Sequence, residues 1–206
     1  MGEILNYATA DELRTFERGI AAQWEAGELP FLLHLSGGNE EWLTSFFDKI
    51  NEGDWIFSTH RNHFHALLAG VKPERLEGLI RSGDSMFVYD RSRNFFTSAI
   101  LSGTACIAVG VAYGLKAKGS NNQVWCFNGD GGEENGHFAE AVTMAEGHDL
   151  PITFIIEDNC RSVNSSIRER VPSEFRLSWP KRVIRYHYKP VYPHAGNGTS
   201  KRIVFK

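Results

Sequence analysis

The chain has 206 residues, 42% hydrophobic and 23% charged, which excludes disordered, collagen-like and disulfide-scaffold classes. A chain this long buries roughly 70% of the surface its unfolded form exposes, so its core needs no disulfide or metal staples. With 22 basic against 25 acidic residues the net charge is -3, which favours neither nucleic acid nor an anionic membrane as a partner. The first residues lack the basic and apolar regions of a signal peptide. No apolar run reaches the roughly 18 residues of a membrane span. Cys106, Cys126 and Cys160 are widely spaced and form no CxxC, the pattern of buried thiols in a reducing compartment. A cytoplasmic location is expected.

Thr9 and Glu12 have the form of a capping box, and Leu13, Phe16, Ile20 and Trp24 recur at helical spacing. This predicts a helix over about 10–26, ending near Gly27. Residues 39–50 read as a second helix with Trp42, Leu43, Phe46, Phe47 and Ile50 on its apolar face. A short strand follows at 55–58, then short helices at 64–69 and 73–81 separated by Gly70. Residues 104–118 form a helix rich in Ala and Gly. Strands are predicted at 124–128 and 152–157, with a helix at 137–146 between them. From Asn159 to about 181 the chain is polar and arginine-rich, and 183–188 reads as one more strand. The tail 193–206 carries little pattern. With no repeat, low-complexity stretch or linker, 1–206 is a single domain. Alternating strands and helices predict an α/β fold with a mostly parallel sheet flanked by helices. Ligands in such folds sit at the carboxyl ends of the strands.

The first strong strand runs straight into Gly129, Asp130, Gly131, Gly132, Glu133, Glu134, Asn135 and Gly136. Glycines let backbone approach a ligand, and a helix start favours an anion such as phosphate. Asp130 adds a hard oxygen ligand, which sits beside phosphate if Mg²⁺ or Ca²⁺ bridges them. Taken alone, the segment is equally a glycine-rich turn with solvated acids. The second strand ends in Asp158 and Asn159, and Asn159 lies 29 residues after Asp130. In a βαβ unit that spacing returns the chain to the same edge of the sheet, so Asp130 and Asn159 face one another across adjacent strand ends. Their oxygens suit Mg²⁺, whereas no His/Cys set has zinc spacing.

Gly129, Asp130 and Gly131 followed by Asp158 and Asn159 resemble the GDG…NN signature of thiamine-diphosphate enzymes. More narrowly, the chain resembles the alpha subunits of the 2-oxo acid dehydrogenases of pyruvate, branched-chain and acetoin type. His34 and Leu35 with Gly38, Asn39 and Glu40 are similar to that family's HLxxGQE. Gly53 and Asp54, then His60 to His63, resemble its D…YRxH, and Ser85, Met86 and Phe87 stand where SMH is usual. The likeness covers roughly residues 10–166.

The resemblance implies a thiamine-diphosphate-binding fold in which Asp130 and Asn159 hold magnesium through their side chains and Arg161 through its carbonyl. Gly131 and Gly132 offer N–H groups to the diphosphate, and His60 and Arg61 face its terminal phosphate. Leu101 lies against the cofactor rings, or is simply core. His63 is either a proton donor on the substrate side or a hydrogen-bonded structural histidine. His60, His63 and His65 lie close in sequence but lack a further ligand to complete a metal site. The implied function is an alpha-like subunit that decarboxylates a small 2-oxo acid and transfers the acyl unit to lipoamide. Transfer to an aldehyde or ketone, as in a transketolase- or acyloin-type carboligase, is the alternative, and a degenerate non-catalytic subunit is the third. A beta-like subunit would supply the activating glutamate, most simply in an α₂β₂ hetero-oligomer.

Departures from the family pattern are His60 for tyrosine, Phe87 for the histidine of SMH, Thr97, Ser98 and Ala99 for a glycine-rich stretch, and Asp158 for asparagine. The chain also ends short of the family's C-terminal segment, which implies no phosphorylation control and puts docking to a lipoyl-bearing partner in doubt. Gly110 and Gly114 in the helix at 104–118, with Ala105, Ala108 and Ala112, suit close approach of another backbone. That backbone is this chain's own sheet or a partner subunit. Trp42, Phe46, Phe47, Phe95 and Phe96 are expected to be left uncovered for the same partner.

Overall fold

The structure is a computed structural model and describes residues 8–30, 32–162, 165–173 and 175–192; the pattern-poor tail lies outside them. Helix α1, Ala10–Glu25, starts from the expected capping box: Thr9 Oγ1 accepts from the Glu12 N–H, and Glu12 Oε2 accepts from the Thr9 N–H at 2.7 Å. Helix α2, Glu40–Phe47, is shorter than its apolar pattern, because the Lys49 and Ile50 N–H groups close tight turns onto Phe46 and Phe47. Strand β1, Trp55–Ser58, and helices α3, His63–Leu68, and α4, Pro73–Arg81, follow. Strands β2, Tyr89–Asp90, and β3, Phe95–Thr97, were not expected, being too short to show alternation. Helix α5 is Ala105–Ala117 and strand β4 is Val124–Gly129. The segment expected as a glycine-rich loop begins instead as a helical turn, α6, Asp130–Glu133. Helix α7, Gly136–Gly147, and strand β5, Ile152–Asp158, complete the βαβ unit.

The arginine-rich stretch carries structure that periodicity did not reveal. It holds a hairpin of β6, Arg161–Ser162, and β7, Ser165–Ser166, then helix α8, Ile167–Arg170, capped by Ser166 and Glu169. Strand β8, Val183–His187, ends the described elements. Six strands form one sheet in the order β2-β3-β1-β4-β5-β8, parallel except at β2–β3. No helix among the described residues is long and apolar enough to cross a membrane.

Both faces of the sheet are covered, which is why its central strands read as apolar runs without polar alternation. Ile56, Phe127 and Ile155 face α1 to α4 with Leu13, Phe47, Phe64 and Leu76. Phe57, Cys126 and Phe154 face Ala105, Ala108 and Ala112 of α5 and Phe138, Ala141 and Ala145 of α7. Two expectations are corrected here. Phe46, Phe47 and Phe95 are buried in the chain's own core, and Trp42, stacked on Tyr186, and Phe96 are partly buried against it, so none of the five is left uncovered. Only Cys126 is a buried thiol; Cys106 and Cys160 are exposed because they sit on the outer face of α5 and in the turn after β5.

Phe127 lies at the centre of this packing, stacked on Phe47 at 5.6 Å and against His65 at 4.3 Å. Phe127→Ala leaves a cavity between sheet and helices and is expected to cost about 3–5 kcal/mol in urea denaturation. A loss under about 1 kcal/mol contradicts this packing.

Candidate functional site

A cleft opens where β1, β4, β5 and β8 end. Parallel strands with short connections deliver their following residues to one edge, so the cleft gathers segments distant in sequence. His60, Arg61, Leu101, Asp130, Gly131, Gly132, Asn159 and Arg161 all line it, with Thr59, Gly129, Glu157, Ser162 and Tyr188. His63 does not. Its ring is fully buried, Nδ1 3.0 Å from both Glu17 oxygens and Nε2 2.9 Å from Ser85 Oγ. It ties α3 to α1 and to the segment before β2, the structural alternative named above. The three neighbouring histidines also part company: His60 stands edge-on to His34, and His65 bonds Ser58 and Glu157.

Asp130 is the most constrained residue of the cleft. Its carboxylate is 1% exposed, and Oδ2 accepts from Arg170 Nη2 at 2.7 Å. Oδ1 is buried with no hydrogen-bond partner among the described residues. Burial pushes this carboxyl up to about 6, Arg170 and Arg176 pull against it, and nearby Asp158 adds to the rise. Asn159 Oδ1 accepts from the Arg161 N–H at 3.0 Å, and Nδ2 donates to the Tyr188 hydroxyl at 3.1 Å. An orphaned carboxylate oxygen in the same cleft as an amide is a donor set that fits a hard divalent cation such as Mg²⁺. The glycines are fixed by contact: a Cβ on Gly131 would stand 2.2 Å from Ser162 Oγ, and one on Gly132 2.2 Å from Asn128 Oδ1. The start of α6 also leaves backbone N–H groups without an intrahelical acceptor.

Leu101 is held over the cleft by its neighbours. Its carbonyl lies 3.0 Å from His137 Nε2, while Ser102 donates to the Gly132 carbonyl at 2.6 Å and accepts from Asn128. The Arg61 guanidinium donates to the Leu35 carbonyl; burial lowers its pKa, and Tyr188, Glu17 and Glu157 oppose that. Burial pushes the Tyr188 phenol up to about 12, against the pull of Arg61. Behind the cleft Glu157 accepts from Asn39, at 3.1 Å, and from Tyr186.

Sequence reading missed the cations that face these acids. Arg170 also binds Glu134, Arg176 lies 3.2 Å from Asp158, and Arg185 bonds both Glu133 and Asp158. Burial would raise Asp158, but the Cys160 N–H, Arg176 and Arg185 outweigh it and lower its pKa. The available signal was arginines recurring at 170, 176 and 185 after an acid-rich 130–134. Asp158, Cys160 and His187 also lie close enough to share a metal ion, yet Arg176 and Arg185 already occupy the Asp158 carboxylate.

Residues 8–173 match the model of the family described as dehydrogenase E1 component, and the chain belongs to that family. It is 31% identical over 163 residues to the alpha subunit of acetoin:2,6-dichlorophenolindophenol oxidoreductase of Cupriavidus necator, covering 74% of this chain and 49% of that one. The Bacillus subtilis protein of the same description is 32% identical over 158 residues, 72% of this chain and 47% of that one. The pyruvate dehydrogenase E1 component subunit alpha of Rickettsia felis is 31% identical over 165 residues, 75% of this chain and 51% of that one. The chain spans about half the length of these curated relatives.

Because Arg170 holds the Asp130 carboxyl down against burial, Arg170→Ala is expected to raise that carboxyl above about 6 in a ¹³C NMR titration. At pH 8 the variant leaves the buried Asp130 charge with the more distant Arg176, at 3.9 Å, and loses about 1.5–3 kcal/mol of stability. At pH 5 the carboxyl is largely protonated in both proteins and the loss shrinks. Equal losses at the two pH values contradict the pairing.

Proposed function

We propose that this member of the dehydrogenase E1 component family binds thiamine diphosphate through Mg²⁺ and works as the alpha-type subunit of an enzyme that decarboxylates a small 2-oxo acid. The observation that carries the reading is the buried, unpartnered Oδ1 of Asp130 in the same cleft as Asn159. Asp130, Asn159 and the Arg161 carbonyl would hold the cation. The N–H groups of Gly131 and Gly132, with His60 and Arg61, would bind the diphosphate, Arg61 by a charge-assisted contact that suits its planar fork. Leu101 would support the rings. When bound, thiamine diphosphate supplies the electron sink for cleaving the bond to the 2-oxo acid's carboxyl group. His63, engaged on both ring nitrogens away from the cleft, has no part in that set.

A beta-type chain would supply the activating glutamate, in an α₂β₂ assembly. Helix α5 supports this. Ala105, Ala108 and Ala112 are buried against the chain's own core, but a Cβ at Gly110 or Gly114 would meet nothing within 4 Å. Ile107 and Tyr113 on the same outward side are each 48% exposed. A glycine in a helix interior costs up to about 1 kcal/mol relative to Ala, so an outward glycine pair has to be offset by what packs on it. A second reading, a subunit that no longer takes the cation, has one observation in its favour: Arg170 and Arg176 already bring positive charge to Asp130.

Co-expression with a beta-type chain, then assay of a panel of 2-oxo acids with a dye acceptor and with aldehydes, tests the activity. Asp130→Ala and Asn159→Ala are each expected to weaken Mg²⁺-dependent thiamine diphosphate binding at least about tenfold, roughly 1.4 kcal/mol, by calorimetry. Unchanged affinity in both removes the cation assignment. Gly114→Leu is expected to block assembly while leaving the circular dichroism of the chain unchanged, with light scattering after size-exclusion chromatography as the measurement. Normal assembly of that variant places the interface elsewhere.

A further inference from the structure

The stretch beyond the family match brings to the cleft a residue that the expected site does not contain. The match ends at Ser173, and Tyr188 lies after it. Strand β8 pairs with β5 in parallel register, Glu157 beside Tyr186 and Asp158 beside His187. The ladder runs one step further, the Tyr188 N–H donating to the Asp158 carbonyl at 3.0 Å. Tyr188 therefore leaves the sheet next to Asn159, and its hydroxyl lies 3.1 Å from Asn159 Nδ2.

An amide is a ligand with two unlike ends: its oxygen attracts a cation and its NH₂ repels one. The neighbours of Asn159 tell those ends apart. The Arg161 backbone N–H can only donate, so the atom it meets at 3.0 Å is Oδ1. The phenolic oxygen accepts from Nδ2 at the other end. Turning the amide over would set its NH₂ against the Arg161 N–H, donor against donor, and would point Oδ1 at β8. We propose that Tyr188 is a positioning residue for the cation site, its hydroxyl holding Nδ2 toward β8 and so fixing Oδ1 as the end directed away from it. The inference rests on the cation site proposed above and adds to it a residue from outside the matched segment.

Tyr188→Phe keeps the ring and removes only the hydroxyl. In the full chain with saturating thiamine diphosphate, calorimetry is expected to show Mg²⁺ bound about fivefold more weakly, the loss of one hydrogen bond. A carboxylate has two like ends and needs no such orientation, so in an Asn159→Asp background the same change should cost under about twofold. In the metal-free chain, hydrogen exchange at the Asn159 side-chain amide, followed by ¹⁵N NMR, should speed up in Tyr188→Phe. An unchanged exchange rate, an unchanged Mg²⁺ affinity, or equal losses in the two backgrounds overturns the positioning role and leaves the cation site standing. A wild-type chain that binds no Mg²⁺ with thiamine diphosphate overturns the site and this inference together.

Discussion

Strands β4 and β5 run parallel in a register that pairs Val124 with Ile152 and Gly129 with Glu157. Everything at the cleft depends on that ladder. It sends Asp130 and Asn159 out of the sheet at neighbouring strand ends, although 29 residues separate them. A slip of one residue would exchange the faces of β5, moving Phe154 and Ile156 from the α5 and α7 side to the other. Register is therefore enforced by packing on both faces of the sheet, and the site inherits its geometry from the core.

The cost of that placement is electrostatic. Asp130, Glu133 and Asp158 are each no more than 3% exposed, so their charges are removed from water. The compensation comes from Arg170 and Arg176, on the segment that crosses over from β7 to β8, and from Arg185 on β8 itself. These arginines thus do for the acids what a bound cation would do in part, while one oxygen of Asp130 has no partner among the described residues. Truncating one member of such a buried set exposes the desolvation cost of the rest, which is larger than the net worth of any pair.

The long elements were legible because they repeat a period. The capping box at Thr9 and the spacing of Leu13, Ile20 and Trp24 place α1 to within a residue of its end. The runs at 124–128 and 152–157 place β4 and β5 for a different reason: both faces of these strands are buried, so they read as continuous apolar runs. Strands β2 and β3 are two and three residues long, too short for any period; β3 exists because β1 offers a ladder to join, and β2 because β3 then offers one. The cleft was legible in the residues that follow strands, since a strand end is fixed by the chain itself. His63 was not, because its neighbours Glu17 and Ser85 come from segments that no local pattern connects to it. Tyr188 was read as strand alone: which side chain stands beside it depends on the strand order, and that order is tertiary.

Diffraction from crystals of the full chain grown with Mn²⁺ and thiamine diphosphate, collected where manganese scatters anomalously, locates the cation. One anomalous peak is expected at coordination distance, about 2.1 Å, from both Asp130 Oδ1 and Asn159 Oδ1, with the diphosphate beside Gly131 and Gly132. A diphosphate bound without a peak there, or a peak elsewhere with Asp130 Oδ1 still unpartnered, contradicts the cation assignment.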